Sequence, residues 1–258
     1  MHLVPTVKFI WVWIKLDEKI YIKLRKMAYK IKFDKFFSYS FSLDCVIFGY
    51  EHGKIHALLI KRAIEPFGGK WAIPGDLVYP DEDLSDAASR ILTELTKVEG
   101  VTLHQGETFG KPDRHPQGRV ITNAYFALVR KEDINAIADS WAEEVKWVPI
   151  REIPQLAFDH NEIIESTFEL LCQKLKREPI CFDLLPEKFT LNEMQQLYEY
   201  SLNASLDKAN FRKKVKPIPL INLNEKQKNV KHRPANLFKF DSDQYSLLVE
   251  DESYLFRM

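Results

Sequence analysis

Cysteine is scarce in this 258-residue chain: Cys45, Cys172 and Cys181, at no paired spacing. That excludes a disulfide-stapled framework and any C-x-x-C zinc or redox motif. The three read as buried free thiols of a reducing cytoplasm. Net charge is missing too, since 37 Lys and Arg balance 37 Asp and Glu, and the chain as a whole is not coated in charge of one sign. Long apolar runs are also absent. The most apolar stretch, "LVPTVKFIWVWIKL" at residues 3–16, is interrupted by Lys8 and Lys15 and is shorter than the ~20 residues of a membrane-spanning helix. It has neither the basic start nor the small-residue cleavage site of a signal peptide. The expectation is a cytoplasmic protein with no membrane partner. Residues 1–35 read as an N-terminal extension, and Met27 is an alternative start that would leave residues 1–26 outside the native protein. Internal repeats and low-complexity tracts are absent as well.

What is present is ordinary globular material, 45% apolar and 29% charged, enough for one large domain or two small ones. "FSLDCVIFGYEHGKIHALLIKR" reads as two strands around an "EHGK" turn. Leu84, Ala87, Ala88, Ile91, Leu95 and Val98 recur at spacings of three and four, which predicts a helix from Asp83 to Val98. Asp81 or Asp83 caps its start, and Gly100 lies past its end. "VTLHQGETFG" and "GRVITNAYFALVR" read as strands flanking the polar loop "KPDRHPQ", and "VKWVPIREIPQL" as a further short strand. From Asp159 the pattern turns helical. "DHNEIIESTFELLCQKLKRE" is an amphipathic helix with Asp159 as its cap, His160 belonging to the helix start, and Pro179 as its stop. "TLNEMQQLYEYSLN" and "DKANFRKKV" are two more helices, and "NLFKF" is a strand behind a basic loop.

The stretch from Gly75 to Val98 resembles the Nudix hydrolase signature: a glycine, five residues, Glu, seven residues, then Arg-Glu-apolar-x-Glu-Glu-x-Gly-apolar. Glu82, Arg90, Leu92 and Glu94 match; Asp76 stands at the first glycine, Ile91 and Leu95 at two of the glutamates, and Lys97 at the late glycine. The resemblance implies that those glutamates would hold magnesium in an active enzyme. Positions 91, 94 and 95 share one helix face, and a hard divalent cation needs several oxygen ligands there. With Ile91 and Leu95 apolar, and Arg90 four residues before Glu94 and able to pair with it, the face makes a poor metal site. No catalytic residue, metal or cofactor is assigned. The alternative is a Nudix hydrolase acting on a nucleoside diphosphate derivative through a non-standard site of Asp76, Glu82 and Glu94.

The loop "FGKPDRHPQGRV" concentrates Asp113, Arg114, His115 and Arg119, and paired guanidiniums suit phosphate or carboxylate. "TFGKPDRHPQGRVITNAYFALV" is similar to a segment of the NrtR-type transcriptional regulators, in which an inactive Nudix domain binds an effector and a winged helix binds DNA. The resemblance implies an ADP-ribose-like or sugar effector held by Arg62, Asp113, Arg114, Arg119 and Tyr125, with the polar remnants Glu82, Arg90 and Glu94.

Between Ser205 and Phe240 stand ten Lys and Arg against two acids, a local excess that marks a polyanion partner. "SLDKANFRKKV" reads as a recognition helix capped by Asp207 or Ser205. Phe211 and Val215 pack inward. Lys208, Asn210, Arg212, Lys213 and Lys214 face DNA, and "EKQKNVKHRPANLFKF" forms a wing carrying Lys231 and Arg233. Pro217 and Pro219 end this helix early. "FDLLPEKFTLNEMQQLYEYSLNASLDKANFRKKV" resembles the winged helix-turn-helix of the same family. The reading is an α+β protein: a Nudix-like mixed sheet with helices at residues 36–178, then a winged helix at 179–258. It binds a double-stranded DNA operator as a homodimer under control of an effector. The helix after Asp159, by its position alone, is expected to transmit the effector's influence.

Overall fold

Hydrophobic alternation with a period of two builds the centre of the molecule. In β1 (Ser40–Glu51), Val46, Phe48 and Tyr50 enter one apolar cluster, while Leu43, Cys45 and Ile47 enter another on the opposite face. In β6 (Val120–Arg130), Ala124, Phe126 and Leu128 oppose Tyr125, Ala127 and Val129 in the same way. Strands buried on both faces need cover on both faces, and helices supply it. The computed structural model describes residues 39–228, 230–231, 233–250, 256 and 258, so the expectations for residues 1–35 lie outside the described residues.

The sheet also contains β2 (Lys54–Arg62), β3 (Trp71–Ala72), β4 (Gly75–Leu77), β5 (Leu103–Phe109) and β7 (Ala142–Pro149). Its order is β3-β2-β1-β6-β5, with β4 pairing β1 and β7 pairing β2. β1 and β2 form an antiparallel hairpin with Glu51 opposite Lys54 and Phe48 opposite Ala57. Its turn residues His52 and Gly53 both have positive φ, 50° and 77°, as a tight turn matched to the sheet's twist demands.

The predicted helix appears as α1 (Leu84–Thr96), capped by the Asp83 side chain on the Leu84 amide. It stops sooner than expected. Lys97, not Gly100, takes the left-handed C-cap position at φ 57°. Ile91 and Leu95 are fully buried in the cluster beneath it. The opposite face is covered by α2 (His160–Leu175), whose Ile163, Ile164, Leu171 and Leu175 join the first cluster.

That first cluster continues without a break into the C-terminal part, taking in Phe182, Leu184, Met194, Leu197, Tyr198 and Phe211. The elements there are α3 (Cys181–Leu184), α4 (Leu191–Leu202), α5 (Lys208–Val215), β8 (Leu220–Lys226), β9 (Asn236–Phe240) and α6 (Ser242–Glu250). α4 opens with a reciprocal capping box of Thr190 and Glu193. Asp207, rather than Ser205, caps α5 by accepting from the Asn210 amide. β8 and β9 form the antiparallel wing, with Phe189 bridging to Phe238. The short α3, strand β8 and α6 were not expected from the sequence.

Candidate functional site: an Arg-carboxylate cleft and a basic helix

A cleft opens where the first half of β1, strand β4 and the start of α2 converge. Its enclosed volume is about 110 Å³, below the ~300–1,000 Å³ of sites that bury a whole drug-sized ligand, so it would enclose only part of a larger one. At its base Arg114 donates from Nε and Nη2 to the two oxygens of Asp159, both at 2.8 Å, and from Nη2 to Asp44 at 3.2 Å. Burial opposes the charge on Arg114, but the bonds to Asp159 and the charge of Asp44 hold its pKa above the ordinary value. The other Asp44 oxygen lies 3.4 Å from His160 Nε2, and His160 Nδ1 accepts from the Ile73 amide. The Nε2–H tautomer follows. Burial pushes the pKa of His160 down, against the pull of Asp44. Asp159 occupies the N-cap position of α2 but makes no side-chain cap bond. The expected cap is corrected: Arg114 has taken the carboxylate.

Arg62 forms one wall. Its guanidinium lies 4.8 Å from the Trp141 ring centroid and 5.0 Å from that of Phe158, and Nε donates to the Pro66 carbonyl. Neither Nη atom has a hydrogen-bond partner among the described residues. The other face of the cleft carries Asp76, whose carboxylate accepts from Trp141 Nε1 at 3.3 Å. His115 stacks on Phe158 with centroids 5.0 Å apart. Gly75 is required by closeness: a Cβ there would sit 2.1 Å from Asp44 Oδ1.

The residues expected at an effector site divide into groups. Arg62 and Arg114 line the cleft. Glu82, Arg90 and Glu94 instead form their own network beside α1. Arg90 donates to both Glu82 oxygens (2.8 and 2.6 Å), to Glu94 (3.2 Å) and to the Leu77 carbonyl (2.9 Å), and stacks 3.9 Å over Tyr79. Tyr125 is buried in the α1-side cluster, Asp113 is exposed on the loop, and Arg119 donates to the Gly110 carbonyl. The donors a Nudix magnesium would need do not fit it here: two positions are apolar and buried, and Arg90 engages the two remaining glutamates. Sequence reasoning missed Asp44, Trp141, Phe158 and the inward role of His160. Asp44 had left a signal, as the lone charge inside the apolar strand "LDCVIF".

The second surface is α5. Phe211 and Val215 are buried, while Lys208, Asn210, Arg212, Lys213 and Lys214 are exposed. None of these four cations forms an ion pair among the described residues. Lys231 and Arg233 are exposed on the wing loop.

Residues 41–168 match the model of the NUDIX domain, and residues 181–240 that of the NrtR DNA-binding winged helix domain. An ADPR-responsive transcriptional repressor of Acinetobacter baylyi is 32% identical over 209 residues, covering 79% of this chain and 83% of that protein. An ADP-ribose pyrophosphatase of Methanocaldococcus jannaschii is 34% identical over 109 residues, 42% of this chain and 63% of that enzyme. The crystal structure of Shewanella oneidensis NrtR complexed with a 27mer DNA is 30% identical, covers 84% of this chain and 97% of that one, and superposes with a TM-score of 0.66. A Nudix sheet joined to this particular winged helix, in this order and across this length, makes the chain a member of the NrtR family.

Proposed function

We propose that this protein is a ligand-responsive transcriptional regulator. The cleft at Arg62 and Arg114 binds a small effector, the winged helix binds double-stranded DNA, and the first event changes the affinity of the second. The observation that carries the reading is the pairing, in one chain, of a Nudix helix with buried Ile91 and Leu95 where two metal-binding glutamates would stand and a helix α5 whose four exposed cations form no ion pair among the described residues. The A. baylyi relative is ADPR-responsive, and ADP-ribose is the first effector to test here. A second reading, a sugar, is favoured by the cleft itself. Asp44 and Asp76 line it beside Arg62 and Arg114, and carboxylates there accept from sugar hydroxyls but repel a diphosphate. The protein acts in the cytoplasm as a homodimer on a two-fold operator, and its Nudix domain binds without hydrolysing.

An effector regulates only by binding the DNA-competent and incompetent arrangements unequally. The test is fluorescence anisotropy on DNA from upstream of the protein's own gene, with scrambled DNA as control, at physiological salt so that cations do not bind every duplex alike. ADP-ribose and then pentoses are added to the complex. Sequence-dependent binding that one ligand alters is expected. Arg212→Ala should weaken operator binding by about 1–3 kcal/mol; unchanged affinity at matched salt removes Arg212 from the interface. Arg62→Ala should weaken the effector at least tenfold, on the order of one charged hydrogen bond, without changing effector-free DNA binding. Equal binding to scrambled DNA, together with release of nucleotide products from ADP-ribose in magnesium or manganese, would return the hydrolase reading.

A further inference from the structure

Helix α2 begins in the cleft and ends against the winged helix. Its first residue is His160, and Asp159 just before it is held by Arg114. Phe158, in the left-handed region at φ 51°, and His160 line the cleft, and Asp159 between them meets Arg114. A bulky side chain in that region is strained, so this entry to the helix is held by its surroundings rather than by local preference. The far end lies about 24 Å away for 16 residues at ~1.5 Å each. There the carbonyl of Leu175, the last helical residue, accepts from the hydroxyl of Tyr198 at 3.0 Å. Cys172 Sγ donates to the Ser201 carbonyl on the same helix, α4, at 3.2 Å. The Tyr198 ring, buried, packs 6.2 Å from the ring of Phe211, the anchor of α5.

We propose that α2 carries the state of the cleft to the recognition helix, and that Tyr198 is the joint between them. A ligand competing for Arg114 or His160 acts on the first turn of α2, the turn whose own capping carboxylate is spent on Arg114. A rigid helix moves as a unit, and its last carbonyl is bonded to the residue on which α5 rests. The proposal rests on the reading of the cleft as the effector site, but its test needs neither effector nor DNA.

Hydrogen–deuterium exchange is followed by mass spectrometry on the full chain. Asp159→Asn keeps the shape of the carboxylate and weakens its bond to Arg114. It should speed exchange in the first turn of α2 and also in α5, on the order of threefold or more, the scale of coupling through packed elements. Peptides from β2 around Leu58–Ile60 should be unchanged. In a Tyr198→Phe background the effect on α5 should fall away while that on α2 remains. Faster exchange confined to α2, or reaching α5 undiminished without the hydroxyl, overturns the proposal. Should Asp159→Asn loosen β2 as well, Tyr198→Phe alone decides. Several-fold faster exchange in α5 with β2 and the first turn of α2 unchanged upholds the joint, and unaltered α5 protection removes it. A chain that binds no ligand would defeat the effector reading and leave these exchange results standing.

Discussion

Two arginine–carboxylate networks lie next to β4, one built on glutamates and the other on aspartates. Arg90 joins Glu82 and Glu94 beside α1; Arg114 joins Asp44 and Asp159 in the cleft. They differ in water. Glu82 and Asp159 are alike at 13% side-chain exposure, but Arg90 is at 16% and Glu94 at 45%, against 3% for Arg114 and 7% for Asp44. In the outer network the half-exposed Arg90–Glu94 pair adds little, and the two-point Arg90–Glu82 bond carries most of what the network contributes. In the inner one the charges gave up water and depend on one another, so losing one strands the rest. A buried charge cluster that opens on a cavity is a place where a ligand's polar groups can be recognised, whereas the outer network ties a helix start to a strand.

That contrast can be broken by substitution. The largest effect should come from Arg114→Ala, which leaves the buried Asp44 and the partly buried Asp159 without their cation and should cost about 3–5 kcal/mol in urea unfolding at neutral pH. A loss no greater than the ~1 kcal/mol of a surface pair would erase the distinction. Next comes Glu82. Its hydrogen bonds to Arg90 hold its carboxyl at about 2, below the value in an unfolded chain. Its contribution is therefore complete above the unfolded pKa and is lost as pH falls toward 2. Glu82→Gln should be less stable than the parent at pH 7, with the gap closing steadily through that acid window in thermal melts. A gap independent of pH would show that the shape of Glu82, and not its charge, is what matters. Smallest is Glu94→Ala, which removes one half-exposed pair four residues along a helix, worth about 0.3–0.5 kcal/mol. Raising the salt to about 1 M should abolish the difference.

One pair of the outer network was readable in the sequence; its Glu82–Arg90 bond, eight positions apart, and the whole inner network were not. Arg90 and Glu94 are four apart on one helix, a spacing that periodicity reveals. Arg114 reaches Asp44 across 70 positions and Asp159 across 45, and no local pattern encodes such a meeting. Asp159 shows how a local rule yields. The residue type at a helix start predicts a cap, but a buried guanidinium bonded at two points outweighed one exposed amide. The basic face of α5 was legible because Phe211 and Val215 mark its inner side at helical spacing and the cations fill the rest. The wing strand β8 was hidden, since "LINLNEK" buries little and is a strand only because β9 and Phe189 lie beside it.

The sequence by itself determined what depends on neighbours a few residues apart: the two-faced strands, the stripe of α1, the loss of carboxylates at Ile91 and Leu95, and the excess of cations beyond Ser205. Only the tertiary structure decided which charges are buried together and which side chains share a cavity. Burial is a property of the assembled layers, and desolvation makes a charge costly or useful only once β1, the 110–119 loop and α2 have closed around it.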